Sequence, residues 1–260
     1  MKKILATLAL AFCAGAILPV QSGAMVVGYY DNTRESYGFS GGGPYSSQAK
    51  QYLVDKGYTL VSTNMATTSF LSGVDAFYTG LISTVSQAEV DAMKSFVNTQ
   101  GGFLFIQTDW TDAPWTAPAN TILSNWGISH AGSYSNDAGN VVVGTSDWVG
   151  GVGTFIGGDH SVVTGAPNNF QVLATDDLQR AILGVFDAGA GRSSDVLIST
   201  DINQWDNSTG WTNANNRQLW ANIWQNVDTQ TGGQVPEPAT LLLLGTGLAG
   251  IIVARRKKKA

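Results

Sequence analysis

Two histidines supply all the imidazole in this chain, and His160 is the better placed to do chemistry. It follows Gly157-Gly158-Asp159 and reads as a loop residue. There it could act as a general base or ligate a metal beside Asp159 or Asp109, or its ring could hold the loop by bonding backbone carbonyls. His130 follows Gly127-Ile128-Ser129 at the expected start of a strand, with no nameable partner, and reads as structural. Asp31, Asp109, Asp201 and Asp206 each fall just beyond the C-terminal end of an expected strand. In an open α/β sheet that edge is where loops splay apart and ligands bind. Carboxylates gathered there could hold Ca²⁺ or Mg²⁺, but Asp equally makes turns and helix caps, and no EF-hand or nonapeptide pattern is present. No metal and no cofactor is assigned.

Eight tryptophans accompany these groups. Trp126, Trp220 and Trp224 sit at helical spacings and read as packing. Trp110, Trp115, Trp148, Trp205 and Trp211 lie in Gly-, Asn-, Asp- and Thr-rich loops, where indole faces could stack on sugar rings or simply cover the sheet edge. A pocket at that edge would draw together Asp31, Asp109 with Trp110, His160, and Asp201 with Trp205. Asp31, Trp110 and Trp205 are the binding candidates. His160 with Asp109 or Asp201 forms the alternative, a hydrolytic pair acting on a glycan.

The elements that must position these residues alternate. Val26–Tyr30 is an apolar strand that exits into a Gly/Ser-rich loop, Tyr37 to Ser47. Ser46 or Ser47 can cap a helix running to Lys56, with Gly57 as its stop. Strands follow at Thr59–Ser62 and Val74–Thr79. Ser86-Gln87-Ala88-Glu89 is a capping box, and Val90, Met93, Phe96 and Val97 fall on one face of the helix it opens. Gly101-Gly102 ends that helix, and Phe103–Ile106 is a fully buried strand. Such alternation predicts a parallel sheet covered on both faces, with Val26–Tyr30, Val74–Tyr78 and Phe103–Ile106 side by side. Further strands are expected at 141–144, 152–156, 170–174, 181–187 and 195–200. A Gly189–Arg192 turn between the last two predicts an antiparallel extension on one edge, and an amphipathic helix over Asn213–Val227 closes the domain.

The unit VDAFYTGLISTVSQAEVDAMKSFVNTQGGFLFIQTD resembles the middle of the class I glutamine-amidotransferase-like fold, including its trehalose-utilisation-type relatives. Ile122–Ile128, Asp159–Gly165 and Val196–Asp201 with the final helix resemble later pieces of that fold in the same order. The resemblance implies a three-layer α/β domain with a mostly parallel, flavodoxin-like sheet. In enzymes of that superfamily the central strand delivers a Gly-framed Cys or Ser with a downstream His. Here FLFI runs into Gln107-Thr108-Asp109-Trp110, with no Cys, Ser or Gly at the turn. Amidotransferase chemistry is therefore not carried over. Thr108 could serve as a nucleophile only with a base and a tight turn.

Both ends carry addresses. Lys2 and Lys3 precede an apolar run to Leu18, and Ser22-Gly23-Ala24 suits a signal peptidase cutting after Ala24. Cys13 is a poor lipidation site, since bulky Phe12 precedes it. At the other end come Pro236-Glu237-Pro238, an apolar run over 239–254, and Arg255 to Lys259. A helix of that run would span about 24 Å, short of the ~30 Å hydrocarbon core, and its basic end would stay cytoplasmic. The order of parts resembles the PEP-CTERM sorting signal of Gram-negative exopolysaccharide producers. That resemblance implies an exosortase and a signal peptidase as export partners, an inner-membrane anchor before processing, and a cell-surface or matrix destination.

Between the addresses, residues 25–228 form the expected domain and 229–235 a linker. Residues 25 to 235 carry 7 Lys and Arg against 18 Asp and Glu, a net charge near −11, so nucleic acid is not an expected partner. The sole Cys lies in the leader, which excludes disulfides and thiol chemistry from the domain. Taken together, the residues describe an exported, non-catalytic envelope or matrix protein with a binding or structural domain, exopolysaccharide being the expected ligand.

Overall fold

The computed structural model describes residues 24–40, 45–111, 114–135, 140–188 and 195–231. The leader, the Gly189–Arg192 turn, the end of the linker and the C-terminal apolar run lie outside the described residues.

The chain begins with Val26–Tyr30 (β1), Glu35–Tyr37 (β2), Ser47–Asp55 (α1), Thr59–Thr63 (β3) and Thr68–Leu71 (α2). Ala76–Tyr78 (β4), Leu81–Ile82 (β5), Gln87–Asn98 (α3) and Phe103–Gln107 (β6) complete the first half. Thr116–Leu123 (α4), Ser129–Tyr134 (β7), Asn140–Val142 (β8), Thr154–Phe155 (β9) and His160–Thr164 (β10) follow. Gln171–Thr175 (β11), Ala181–Phe186 (β12), Val196–Ser199 (β13) and Ala214–Thr231 (α5) close the order, with 3₁₀ turns at Ser124–Trp126 and Ile202–Trp205.

Nine strands form one sheet in the order β3-β1-β4-β6-β13-β12-β11-β8-β9. The pairings from β3 through β13 are parallel, and those from β13 through β9 are antiparallel. The expected antiparallel edge extension is thus present, and β1, β4 and β6 are parallel neighbours.

Alternation along each buried strand feeds two cores. Val27, Tyr29, Ala76, Tyr78, Phe103, Phe105 and Leu197 face a layer with α1 and α5. Leu104, Ile106, Phe77, Val196 and Ile198 face the opposite layer, built from α2, α3 and α4. Because side chains alternate across a strand, two covered faces require near-continuous apolar runs such as FLFI.

The local signals act as their chemistry requires. Ser86 accepts from the Glu89 amide while Glu89 accepts from the Ser86 amide, closing the capping box at the start of α3. Gly101 (φ +71°) ends the helix, and a Cβ on Gly102 would lie 2.0 Å from the Phe96 ring. Ser46 does not cap α1, since its side chain makes no capping bond.

Three other expectations are corrected. β7 and β10 pair with each other in a separate two-stranded sheet, so His160 opens a strand rather than sitting in a loop. Residues 229–231, expected to be linker, are the last turn of α5. Trp148, Trp205 and Trp211 are buried, not loop-exposed: Trp148 stacks on Phe103, and Trp205 packs against Trp220.

Candidate functional site

β6 and β13 are adjacent parallel strands, and the chain leaving their C-terminal ends opens a cleft of about 250 Å³. Asp109 and Trp110 reach it from β6, Ile202 and Asn203 from β13, and Tyr37 and Tyr45 from the segments after β1. Trp115, ahead of α4, and Asp159, ahead of β10, complete the wall. Successive loops diverge at such an edge, which is why the crevice forms there.

A buried polar network fixes the floor. Trp205 donates its indole N–H to Gln107 at 2.9 Å, and Gln107 donates to the Ser199 hydroxyl and carbonyl. Ser199 donates in turn to Gln204 at 2.9 Å. These bonds seat the 3₁₀ turn that carries Ile202 and Asn203, so Trp205 supports the cleft from beneath without lining it. Asp201 caps the same turn, accepting from the Asn203 amide at 2.8 Å and from the Gly158 amide at 2.8 Å.

The two carboxyls do not ionise freely. Burial pushes Asp109 up to about 8, with Asp201 adding repulsion and the Trp110 amide opposing it. Burial likewise raises Asp201, against the stabilising Gly158 and Asn203 amides and His160.

His160 is absent from the cleft. It is fully buried, with Nδ1 3.2 Å from the Gly158 carbonyl and Nε2 3.2 Å from Asp176. Asp176 also pairs with Arg180, whose guanidinium lies 3.5 Å from the centre of the Tyr134 ring. Both ring nitrogens of His160 are committed, so its proposed pairing with Asp109 or Asp201 as a hydrolytic dyad does not form. Asp31 is likewise elsewhere: it accepts from the Thr33 amide and hydroxyl in the turn after β1. Of the sequence candidates, Asp109, Trp110, Trp115 and Asp159 line the cleft, with Trp110 40% exposed.

At the turn after β6, Thr108 does have a base. Its hydroxyl lies 3.1 Å from His130 Nδ1 and 3.3 Å from Ser161 Oγ, and Ser161 Oγ lies 2.7 Å from the same nitrogen. Asn120 clamps the His130 backbone from both sides. Burial lowers His130 to about 4, opposed by the Thr116 backbone, so the ring is neutral at physiological pH. Yet Thr108 has no exposed surface, and Gln179 is the one described non-glycine residue with positive φ. A strained, presented elbow is therefore missing. The cluster reads as a buried lock on the turn that aims Asp109.

Sequence reasoning missed this lock because its members are far apart in the chain and none has a local signature. Tyr37, Tyr45 and Asn203 were also missed, although the two tyrosines bracket the Gly-rich loop. Among the described residues, no group of three or more His, Cys, Asp or Glu is placed to hold a metal ion, and no helix is long and apolar enough to cross a membrane.

This architecture is the glutamine-amidotransferase-like α/β fold. A thua-like protein from Bacteroides uniformis is similar over 82% of this chain and 94% of its own, at 13% identity and a TM-score of 0.54. The mmIFT52 N-terminal domain is similar over 78% of this chain and 97% of its own, at 13% identity and a TM-score of 0.65. Identities this low speak to fold alone. Residues 234–258 match the PEP-CTERM protein-sorting motif, which implies export dependent on an exosortase. No curated protein sequence matches the chain.

Proposed function

We propose that this chain is an exported, non-catalytic protein of the cell envelope or exopolysaccharide matrix whose α/β domain binds a glycan in the cleft beyond β6 and β13. One observation carries the binding reading: Tyr37, Tyr45, Trp110 and Trp115 gather with Asp109, Asp159 and Asn203 around a single crevice. Aromatic faces take the CH surfaces of sugars, while carboxyl and amide groups take hydroxyls. The absence of catalysis is supported by the fully buried Thr108 at the position where related enzymes present a nucleophile.

Delivery rests on the sorting motif at 234–258. The compact unit spans Ala24–Gly233, which suits removal of the leader after Ala24 and trimming near Pro236–Pro238. The apolar run over 239–254 would hold the chain at the inner membrane until an exosortase acts.

The test is titration of the purified chain with exopolysaccharide fragments from the producing organism, read by tryptophan fluorescence and calorimetry. Trp110→Ala should weaken binding about tenfold, as loss of one exposed aromatic contact does, and leave the far-UV spectrum unchanged. Absence of binding to any fragment would reduce the domain to a scaffold. Turnover abolished by Thr108→Val would restore an enzymatic reading.

A further inference from the structure

We propose that the cleft takes an organic ammonium group, either the free amine of a deacetylated hexosamine or a quaternary amine, held by the rings of Tyr37, Trp110 and Trp115 and by the carboxylates of Asp109 and Asp159. The inference rests on the cleft being a binding site and specifies its ligand.

The sign of the site comes first. Asp109 and Asp159 line the cleft, and among the described residues no Lys or Arg does. A cation would meet acidic acceptors that no basic side chain among the described lining residues already pairs with. The groups around Asp109 are Asp201 from the end of β13, Asp159 from the approach to β10, and the Tyr45 phenol. Asp206 and His160 act on Asp201 from behind, and His160 is bonded to Asp176 and Gly158.

The second observation is an unused acceptor. Asp109 is only 8% exposed, and its Oδ1 accepts from the Trp110 amide at 2.9 Å. Its Oδ2 makes no hydrogen bond to any described residue. A carboxyl this buried, with one amide donor and two acidic neighbours, calls for a proton or a counter-charge. Burial and the neighbouring acids hold the carboxyl protonated up to about 8 in the empty cleft. An arriving ammonium would replace that proton.

The third is the shape of the aromatic wall. Tyr37 meets Tyr45 edge-on at 5.0 Å and 67°, and meets Trp115 edge-on at 5.7 Å and 85°. A neutral sugar ring stacks best on one flat platform. Mutually perpendicular rings make a corner, and a compact cation set in it is attracted by the negative face of whichever rings it meets.

The experiment uses the full chain in a polyoxyethylene detergent, which carries neither sugar nor amine. Choline is titrated against its uncharged isostere 3,3-dimethylbutanol, and tri-glucosamine against tri-N-acetylglucosamine, by calorimetry in buffers of different ionisation enthalpy. Each charged ligand should bind at least about tenfold more tightly than its neutral counterpart. Binding by choline alone would identify the quaternary amine as the source, and binding by tri-glucosamine alone the hexosamine; either supports the proposal. Choline keeps its charge at all pH, so its affinity should rise about tenfold from about pH 7 to about pH 9 as Asp109 ionises more readily. Binding at about pH 7 should release a proton, seen as a buffer-dependent heat. Asp109→Asn should weaken choline binding and remove its pH dependence. Neutral ligands binding as well as charged ones, or a pH-independent choline affinity, would overturn the proposal and leave the glycan-binding reading standing. Silence from every ligand, including exopolysaccharide fragments, would remove both.

Discussion

Asp109 and Asp176 are both buried carboxyls, and the protein treats them in opposite ways. Asp176 receives backbone amides, His160 and Arg180, and is held below the usual carboxylate range despite its burial. Asp109 receives one amide and two acidic neighbours, and is pushed up to about 8. Linkage gives the consequence. Unfolded, Asp109 releases its proton near pH ~4, so between there and about 8 the folded state binds more protons, and stability falls as pH rises. Asp109→Asn keeps the shape and removes this term. The variant should be more stable than the parent by about 1–3 kcal/mol near pH 8, with little difference near pH 4. Thermal unfolding across that range checks it, and an unchanged pH slope would sink the assignment. The sequence brought Asp109 and Trp110 to this edge because position after a central strand is a property of topology. It could not separate Trp110 from Trp205, since both lie in similar polar surroundings. What buries Trp205 is a hydrogen bond to Gln107, 98 positions away.

At the scale of elements, Ser46 and Ser86 pose the same question with different outcomes. Ser86 is extended, with φ −89° and ψ 155°, and its hydroxyl reaches the Glu89 amide. Glu89 is itself held by the Tyr30 phenol and by Arg34 at 3.2 Å, so the cap is tied into the core. Ser46 has φ −114° and ψ 32°, and its hydroxyl is buried without a partner. Ser86→Ala should therefore cost about 1 kcal/mol. Ser46→Ala should be neutral or slightly stabilising, because it removes an unsatisfied group. Urea unfolding of the two variants distinguishes them; equal losses would contradict the geometry. The parallel half of the sheet was legible because β1, β4, β6 and β13 are buried runs and each helix has a cap or a stop. The β7–β10 pair was not: β7 alternates weakly, and β10 carries a bulge between His160 and Val162 that disrupts its register. Loops of similar composition hide such pairings, which are set by contacts across the fold.

For the whole molecule, the charge balance and the two ends belong to one design. The domain region is strongly acidic, whereas Arg255 to Lys259 place five positive charges at the tail. Those charges favour the cytoplasmic face, and the sorting motif beside them implies export of the domain that precedes it. As a helix the apolar run between them would span about 24 Å and would be a marginal anchor in a ~30 Å core. Such an anchor would hold a chain long enough to be processed, and the sorting motif at 234–258 implies an exosortase for that step. Glu237, between Pro236 and Pro238, is the one charged side chain in the Val235–Ala254 stretch, so it is the natural feature for a membrane-embedded protease to read. Glu237→Ala should leave the domain fold unchanged and keep the chain in the inner-membrane fraction with its C-terminus intact. The parent should be exported with an N-terminus at Met25 and a C-terminus near Pro236–Pro238. Intact-mass spectrometry of both fractions reads the two ends at once. Lys259 in the exported parent protein, or release of Glu237→Ala at the parent's rate, would show that the tail is a plain anchor and that delivery follows another route.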